Sequence, residues 1–358
     1  MTTTAVPQFD QTKFDAALGR FLGDAGAAFS SALVLVGDKL GLYKALNEGG
    51  AQTARQLAER TGTHERYVRE WLSNQAASGY ITYDPETRTF ALPAEHVPFL
   101  ADDTSEVTMF GLFSMAAVLF ADEPKITEVF KTGQGLGWHE HDQRLFACTE
   151  RLFRPGYRAH LVADWIPALD GVAAKLRAGA RVADIGCGFG TSTILMANAY
   201  PAASFVGYDY HVPSIEAARS AASAAGLSDR VTFEVASARD LSGDGFDLVC
   251  CFDCIHDMGD PVGVLSRLRR LLKQDGTLMM VEPFASDTLE ENLNPIGRIF
   301  YAASTMLCTP ASRAQEVGLA LGAQAGEIKM RAVATEAGFS KFRRASETPF
   351  NLVYELRP

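Results

Sequence analysis

The stretch that most constrains this chain is Arg181-Val-Ala-Asp-Ile-Gly-Cys-Gly-Phe-Gly190, an apolar run that reaches an acid and then three glycines at alternate positions. It reads as a buried parallel strand breaking into a loop at a helix N-terminus, where nucleotide-like ligands bind. Without Cβ atoms, Gly186, Gly188 and Gly190 let backbone N–H groups come close to a ligand. The glycines alternate and Asp184 stands two residues before the first of them, so the pattern differs from the G-x-G-x-x-G of dinucleotide enzymes. An acid at this place suits a ligand bearing ammonium and sulfonium charge better than a pyrophosphate.

On both sides of this loop the pattern is regular. Strands are expected at 182–186, 204–208, 231–235, 247–252 and 277–282, with helices at 191–199, 214–225 and 262–272 between them. Alternating strand and helix implies an α/β, Rossmann-like sheet that is mostly parallel. A helix at 328–337 is then followed by two strands, 342–345 and 351–356, which predict an antiparallel pair at the sheet's end.

Ahead of this domain, apolar residues recur at helical spacing from Phe14 to Leu46, and Gly23, Gly26, Gly37 and Gly41 are expected to break the segment. So broad an apolar face needs a cover, and a second subunit is the expected one. Residues before about Gln11 read as a loose tail. Helix, turn, helix and hairpin signals over 53–92 make a winged helix, with Thr63 as the expected N-cap of its second helix. Residues 51–92 carry five arginines against five acids, which gives phosphate little attraction. Residues 101–180 read as mostly helical, broken or kinked at Pro155 and Pro167. The expected division is a helical, winged-helix dimerisation domain over 1–100, a helical linker and lid over 101–160, and the sheet domain over 161–358.

At 358 residues, 47% hydrophobic and 21% charged, the composition is that of an ordinary globular protein. A formal net charge of −10 argues against nucleic acid as the main partner. No basic n-region precedes an apolar core, and no run is expected to reach the roughly 18 apolar residues of a membrane span. A soluble cytoplasmic protein is expected, with neither nucleic acid nor membrane as partner. The six cysteines form no paired C-x-x-C clusters, so buried reduced thiols are expected and a metal site is not.

Several residues stand where chemistry is done. Asp209, followed by Tyr210, ends the second strand, where an acid accepts ribose hydroxyls. Ser237 and Ala238 follow the third strand, where a side chain and a backbone N–H meet an adenine. Asp253, His256 and Asp257 follow the fourth strand, and Glu282 ends the fifth. A histidine oriented by a carboxylate is a general base at neutral pH; otherwise His256 caps the next helix. The glycine-rich stretch 131–142 offers Trp138 and His139 as pocket wall, while His139 and His141, two residues apart, either face a site, mark a metal pair or stay solvated. The aromatics of 292–301, Phe300 among them, make either a lid or a subunit contact.

The motif Asp184-Ile-Gly-Cys-Gly-Phe-Gly190, with Asp209 and the helix–strand–strand ending, resembles class I S-adenosylmethionine-dependent methyltransferases over roughly residues 155–358. The winged helix, Ile255-His-Asp-Met and Val281-Glu-Pro further resemble small-molecule O-methyltransferases of secondary metabolism and actinobacterial winged-helix-fused methyltransferases. The resemblance implies S-adenosylmethionine as cofactor and a small-molecule methyl acceptor. It makes His256 the base and Glu282 its partner, sets the Phe252 backbone against the cofactor's ammonium and Met258 over the adenine. Three other readings compete with it. They are a cofactor-sensing transcriptional regulator, a nicotinamide oxidoreductase, and a non-methylating enzyme on the same fold.

Overall fold

The computed structural model describes residues 9–358 and divides the chain into two compact units, 1–117 and 118–358. The expected N-terminal tail falls largely in residues 1–8, outside the described residues.

In the first unit, α1 (Gln11–Lys39) starts at Asp10, whose carboxylate accepts the Lys13 N–H at 3.1 Å. It runs unbroken through Gly23, Gly26 and Gly37, and the expected break falls only at Gly41, whose φ is +67°. A helical glycine costs only about 1 kcal/mol against alanine. At Gly37 the missing side chain is used for packing, since a Cβ there would sit 2.5 Å from Trp71 Cζ2. Contrary to expectation, α1 is long and apolar enough to cross a membrane by length and composition, although its mean hydropathy over 18 residues is only 1.3.

Next come α2 (Leu42–Gly49), α3 (Ala54–Thr61), α4 (Glu65–Ala77) and the hairpin β1 (Thr82–Asp84) and β2 (Thr89–Ala91). Thr53 and Gln56 close a reciprocal capping box on α3. His64, rather than Thr63, caps α4, its Nδ1 accepting from Arg66 N at 3.2 Å. Leu42, Leu46, Leu57, Trp71 and Leu72 pack a small core of their own. The helix Phe110–Thr132 leads from this unit into the next, so residues 101–160 are shared between the two units instead of standing apart.

In the second unit, Pro155 does not break the chain: the helix Leu145–Gly156 passes into a wider π-helical stretch, Tyr157–Trp165. The segment after Pro167 does end, at Leu169. The sheet consists of β3 (Arg181–Ile185), β4 (Ser204–Asp209), β5 (Val231–Val235), β6 (Phe246–Phe252), β7 (Leu272–Pro283), β8 (Lys341–Glu347) and β9 (Asn351–Arg357), ordered β5-β4-β3-β6-β7-β9-β8. The first five are parallel, β9 runs antiparallel to β7, and β8 pairs antiparallel with β9. Val182, Leu248 and Cys250 face one apolar layer, and Ala183, Val249 and Cys251 face the other. Burial on both faces explains why these strands are continuously apolar in sequence. The order reverses between β3 and β6, which opens a crevice at their carboxyl ends.

Candidate active site

A cavity of about 840 Å³ occupies that crevice, walled by the loops after β3, β4, β5 and β6, the 137–157 region and residues 311–316. The glycine loop forms one side. All three glycines have positive φ, and a Cβ at Gly190 would sit 2.5 Å from Phe233 Cζ. Gly188 N–H donates to Asp209 Oδ2 at 2.9 Å, while Asp209 Oδ1 accepts from His211 N at 2.9 Å. The loop after β3 is therefore tied directly to the end of β4. Burial raises the pKa of the Asp209 carboxyl above its ordinary value, against these N–H bonds.

Asp184 sits elsewhere than expected. It is buried beneath the loop, off the cavity wall, and its Oδ2 accepts the Ser192 and Thr193 hydroxyls at 2.6 Å each. Burial pushes its pKa up to about 6. The acid of the motif thus pins the following helix to the strand and presents no oxygen to a ligand.

Gly186, Gly188, Asp209, Tyr210, Ser237, Ala238 and Phe252 all reach the wall, as do Trp138 and His139. Ser237 Oγ accepts the Arg239 N–H at 3.3 Å. Phe146 stacks on His211 with ring centroids 3.7 Å apart, and the His139 ring stands edge-on to Tyr210. The turn carrying Trp138 and His139 is held from behind by Asp122. That carboxylate accepts from His141 Nδ1 at 2.9 Å, from Lys125 Nζ at 2.9 Å and from Asp142 N. His141 is consequently buried, not solvated. Phe300 is not on the wall. Its helix, Pro295–Ala303, is followed by a π-helical turn and the helix Thr309–Arg313, and Ala311, Ala314, Gln315 and Glu316 supply that side instead.

His256 also departs from expectation. Its Nδ1 lies 2.5 Å from Glu282 Oε2, and its Nε2 lies 3.0 Å from Asp257 Oδ1. Burial works against an imidazolium, but the Asp257 and Glu282 carboxylates outweigh it and hold the pKa well above the ordinary histidine value. Both ring nitrogens are therefore engaged, and the ring stands behind the wall. Asp257 is the member of this row that reaches the cavity, and its Oδ2 accepts Trp138 Nε1–H at 3.1 Å. Gln315 braces the turn, accepting from Gly259 N and donating to Asp257 O.

Asp253 was the least legible wall residue in its detail. Its φ is +50°, its Oδ1 accepts Asn351 Nδ2 at 2.9 Å and its Oδ2 faces Tyr157 Oη at 3.4 Å. Burial, then the Glu282 charge, raises its pKa to about 8. The sequence marked an acid at a strand end, but partners from 96 and 98 residues away leave no local signal.

Glycines on a clamped loop, an acid at the next strand end and a crevice where the strand order reverses mark a site for a nucleotide-like ligand. In agreement, residues 176–330 match the family described as Methyltransferase domain, and residues 28–102 match the Rv2258c-like winged HTH domain. The sheet domain is thus similar to methyltransferase domains and the segment ahead of it to a winged helix. It is 36% identical over 107 residues to 27-O-demethylrifamycin SV methyltransferase of Amycolatopsis mediterranei, covering 29% of this chain and 39% of that protein. It is 26% identical over 292 residues to the mitomycin biosynthesis 6-O-methyltransferase of Streptomyces lavendulae, covering 79% and 82%. Human N-acetylserotonin methyltransferase, solved in complex with S-adenosylmethionine, shares the fold with a TM-score of 0.66 at 15% identity, over 100% of this chain and 99% of that one. The first three curated relatives are matched over 39% to 50% of their own lengths.

Proposed function

We propose that this chain transfers the methyl group of S-adenosylmethionine to a small-molecule acceptor bound in the cavity. The observation that carries the reading is the tied glycine loop opening onto a wall rich in carboxylates. Glu140, Glu150, Asp209, Asp257 and Glu316 line the cavity, with Asp253 as a carboxyl that burial keeps protonated, against Arg239 as its arginine. Such a wall favours a cationic ligand and opposes a pyrophosphate. The residues present therefore fit S-adenosylmethionine, and the named relatives support the same chemistry.

When bound, S-adenosylmethionine supplies a methyl group already activated by its sulfonium. The chain's contribution is alignment, worth several kcal/mol through proximity. In this reading Gly186 and Gly188 admit the ligand close to the backbone, Asp209 has lone pairs left for ribose hydroxyls, and Ser237 with Ala238 frames the adenine. The Phe252 carbonyl meets the ammonium, and Trp138 and His139 wall the acceptor. A hydroxyl proton becomes strongly acidic as its oxygen bonds to the methyl, so the Asp257 carboxylate suffices to receive it. His256, steered by Glu282, holds that carboxylate in place. Calorimetry tests the cofactor: S-adenosylhomocysteine is expected to bind at micromolar concentration and a nicotinamide dinucleotide not at all. The reverse result sinks the reading. Release of S-adenosylhomocysteine on adding fractions of a cell extract then finds the acceptor.

We assign the winged helix and α1 to a homodimer of a cytoplasmic protein. Phe14, Leu18, Phe21, Leu22, Phe29 and Val36 of α1 are exposed, which supports a protein cover. On α4 the arginines pair with acids of their own helix, Arg66 with Glu70 and Arg69 with Glu65, and this weakens any pull on phosphate. Light scattering should give a dimer that Phe21→Glu with Phe29→Glu converts to monomer. Partition into lipid vesicles would overturn the assignment.

A further inference from the structure

His256, Asp257 and Cys308 meet just behind the cavity wall. One ligand atom of each lies within 4.8 Å of the other two. The three residues are 3%, 7% and 6% exposed. Cys308 arrives from the π-helical turn Ser304–Cys308, far along the chain from the other two.

Two details of this cluster are not accounted for by packing. Asp257 Oδ1 is buried without a hydrogen-bond partner. It lies 3.0 Å from His256 Nε2, an ion-pair distance. The other detail lies behind the ring, where Glu282 sits on His256 Nδ1. A carboxylate on the far nitrogen is the usual support of a metal-bound histidine, fixing its tautomer and raising its basicity.

We propose that His256, Asp257 and Cys308 form a binding site for one zinc-class divalent cation. One imidazole nitrogen, one carboxylate oxygen and one sulfur make a borderline-soft donor set, suited to Zn²⁺ or Co²⁺ and poorly suited to Mg²⁺ or Ca²⁺. A divalent ion with a neutral imidazole, a carboxylate and a thiolate adds no net charge to the buried cluster, because two protons leave as it binds. Those protons come from His256 and from the Cys308 thiol. Three protein donors leave a fourth position, the pattern of a zinc site that exchanges a ligand. Asp257 ligates through Oδ1, so its Oδ2 stays with Trp138 at the wall. Binding of the ion does not depend on the methyl-transfer reading; only a use of the fourth position on an acceptor would.

The test uses the full chain, stripped with a chelator and titrated with Co²⁺. One equivalent is expected to bind with the strong visible bands of four-coordinate cobalt and a thiolate charge-transfer band. Cys308→Ser should abolish the charge-transfer band, and Glu282→Gln should weaken binding roughly 10–100-fold. X-ray absorption of the zinc-loaded wild type should show one sulfur among nitrogen and oxygen neighbours, a readout that no variant's folding can disturb. Absence of stoichiometric binding overturns the proposal. So does a charge-transfer band that survives in a folded Cys308→Ser protein, which would move the ion to Cys250, Cys251 or Cys254. Calorimetry with S-adenosylhomocysteine on the same samples separates the two readings. Cofactor product binding without cobalt binding sinks the metal site alone, and cobalt binding without it sinks the methyl-transfer reading alone.

Discussion

The two sides of the cavity are built on different principles. The side made by β3 and β4 is mostly backbone: three left-handed glycines, one N–H to Asp209, and a buried Asp184 that never touches the cavity. The side made by β6 and β7 is side chains in series, with Glu282 on His256, His256 on Asp257 and Asp257 on Trp138. A backbone cradle depends on conformation and fails when the chain cannot take its φ values. A side-chain row fails one link at a time, and its failures should fall on turnover rather than on cofactor affinity.

The largest effect is expected on the backbone side. Gly190→Ala combines a φ of +76° with a Cβ driven to 2.5 Å from Phe233 Cζ. It should lower S-adenosylhomocysteine affinity about 100-fold or more, or prevent folding, as calorimetry and thermal unfolding will show. Gly188→Ala meets open space and carries only the left-handed strain, roughly 1–2 kcal/mol. Equal losses in the two variants would show that conformation, not packing at Phe233, limits the loop.

On the other side, Asp257→Asn removes the carboxylate at the wall. Turnover should fall about 10²-fold or more, with S-adenosylhomocysteine affinity changed less than about threefold. His256→Ala should follow it, having lost the group that holds Asp257. Parallel losses of turnover and affinity would erase the distinction between the two sides.

This contrast also explains what was readable in advance. The parallel sheet, its antiparallel end and the wall positions Asp209 and Ser237 follow from short spacings: glycines two apart, strands that alternate with helices, an acid at a strand end; Phe252 was marked by the family resemblance alone. The side-chain row was only half readable. His256 and Glu282 were marked, but whether His256 keeps a free nitrogen depends on Asp257 turning back onto it, a torsion that no pattern encodes. Phe300 was misplaced because an aromatic run looks the same whether it faces a cavity or not. The role of Asp184 changed for a related reason: Ser192 and Thr193 stand in the first turn of the next helix, and only the fold points their hydroxyls back at the acid.

Asp253 lies where the two sides meet and tests both by pH. Burial holds its pKa at about 8 in the folded protein, above the ordinary carboxyl value of 3.8. The folded state therefore holds this proton more tightly than the unfolded chain does. That advantage is complete below the unfolded value and is lost as pH rises toward about 8. Asp253→Asn cannot ionise, so its melting temperature relative to wild type should rise from pH 5 to pH 8.5. A difference that is flat across this range would mean that the Asp253 carboxyl is already ionised at pH 5.

The smallest expected effect concerns the link from the row to the loop above it. Trp138→Phe keeps an aromatic ring near Phe146, at a centroid distance of 6.2 Å in the native protein, and removes only the Nε1–H that Asp257 accepts. Loss of one such bond is worth about 1 kcal/mol, or roughly fivefold. The turn itself should stay in place, because Asp122 holds it through His141, Lys125 and Asp142 on the side away from the cavity. The fivefold loss should therefore appear in KM for the acceptor, with S-adenosylhomocysteine affinity unchanged. If cofactor product affinity falls as well, the turn is held by Asp257 more than by Asp122, and the side-chain row then supports the backbone cradle instead of standing opposite it.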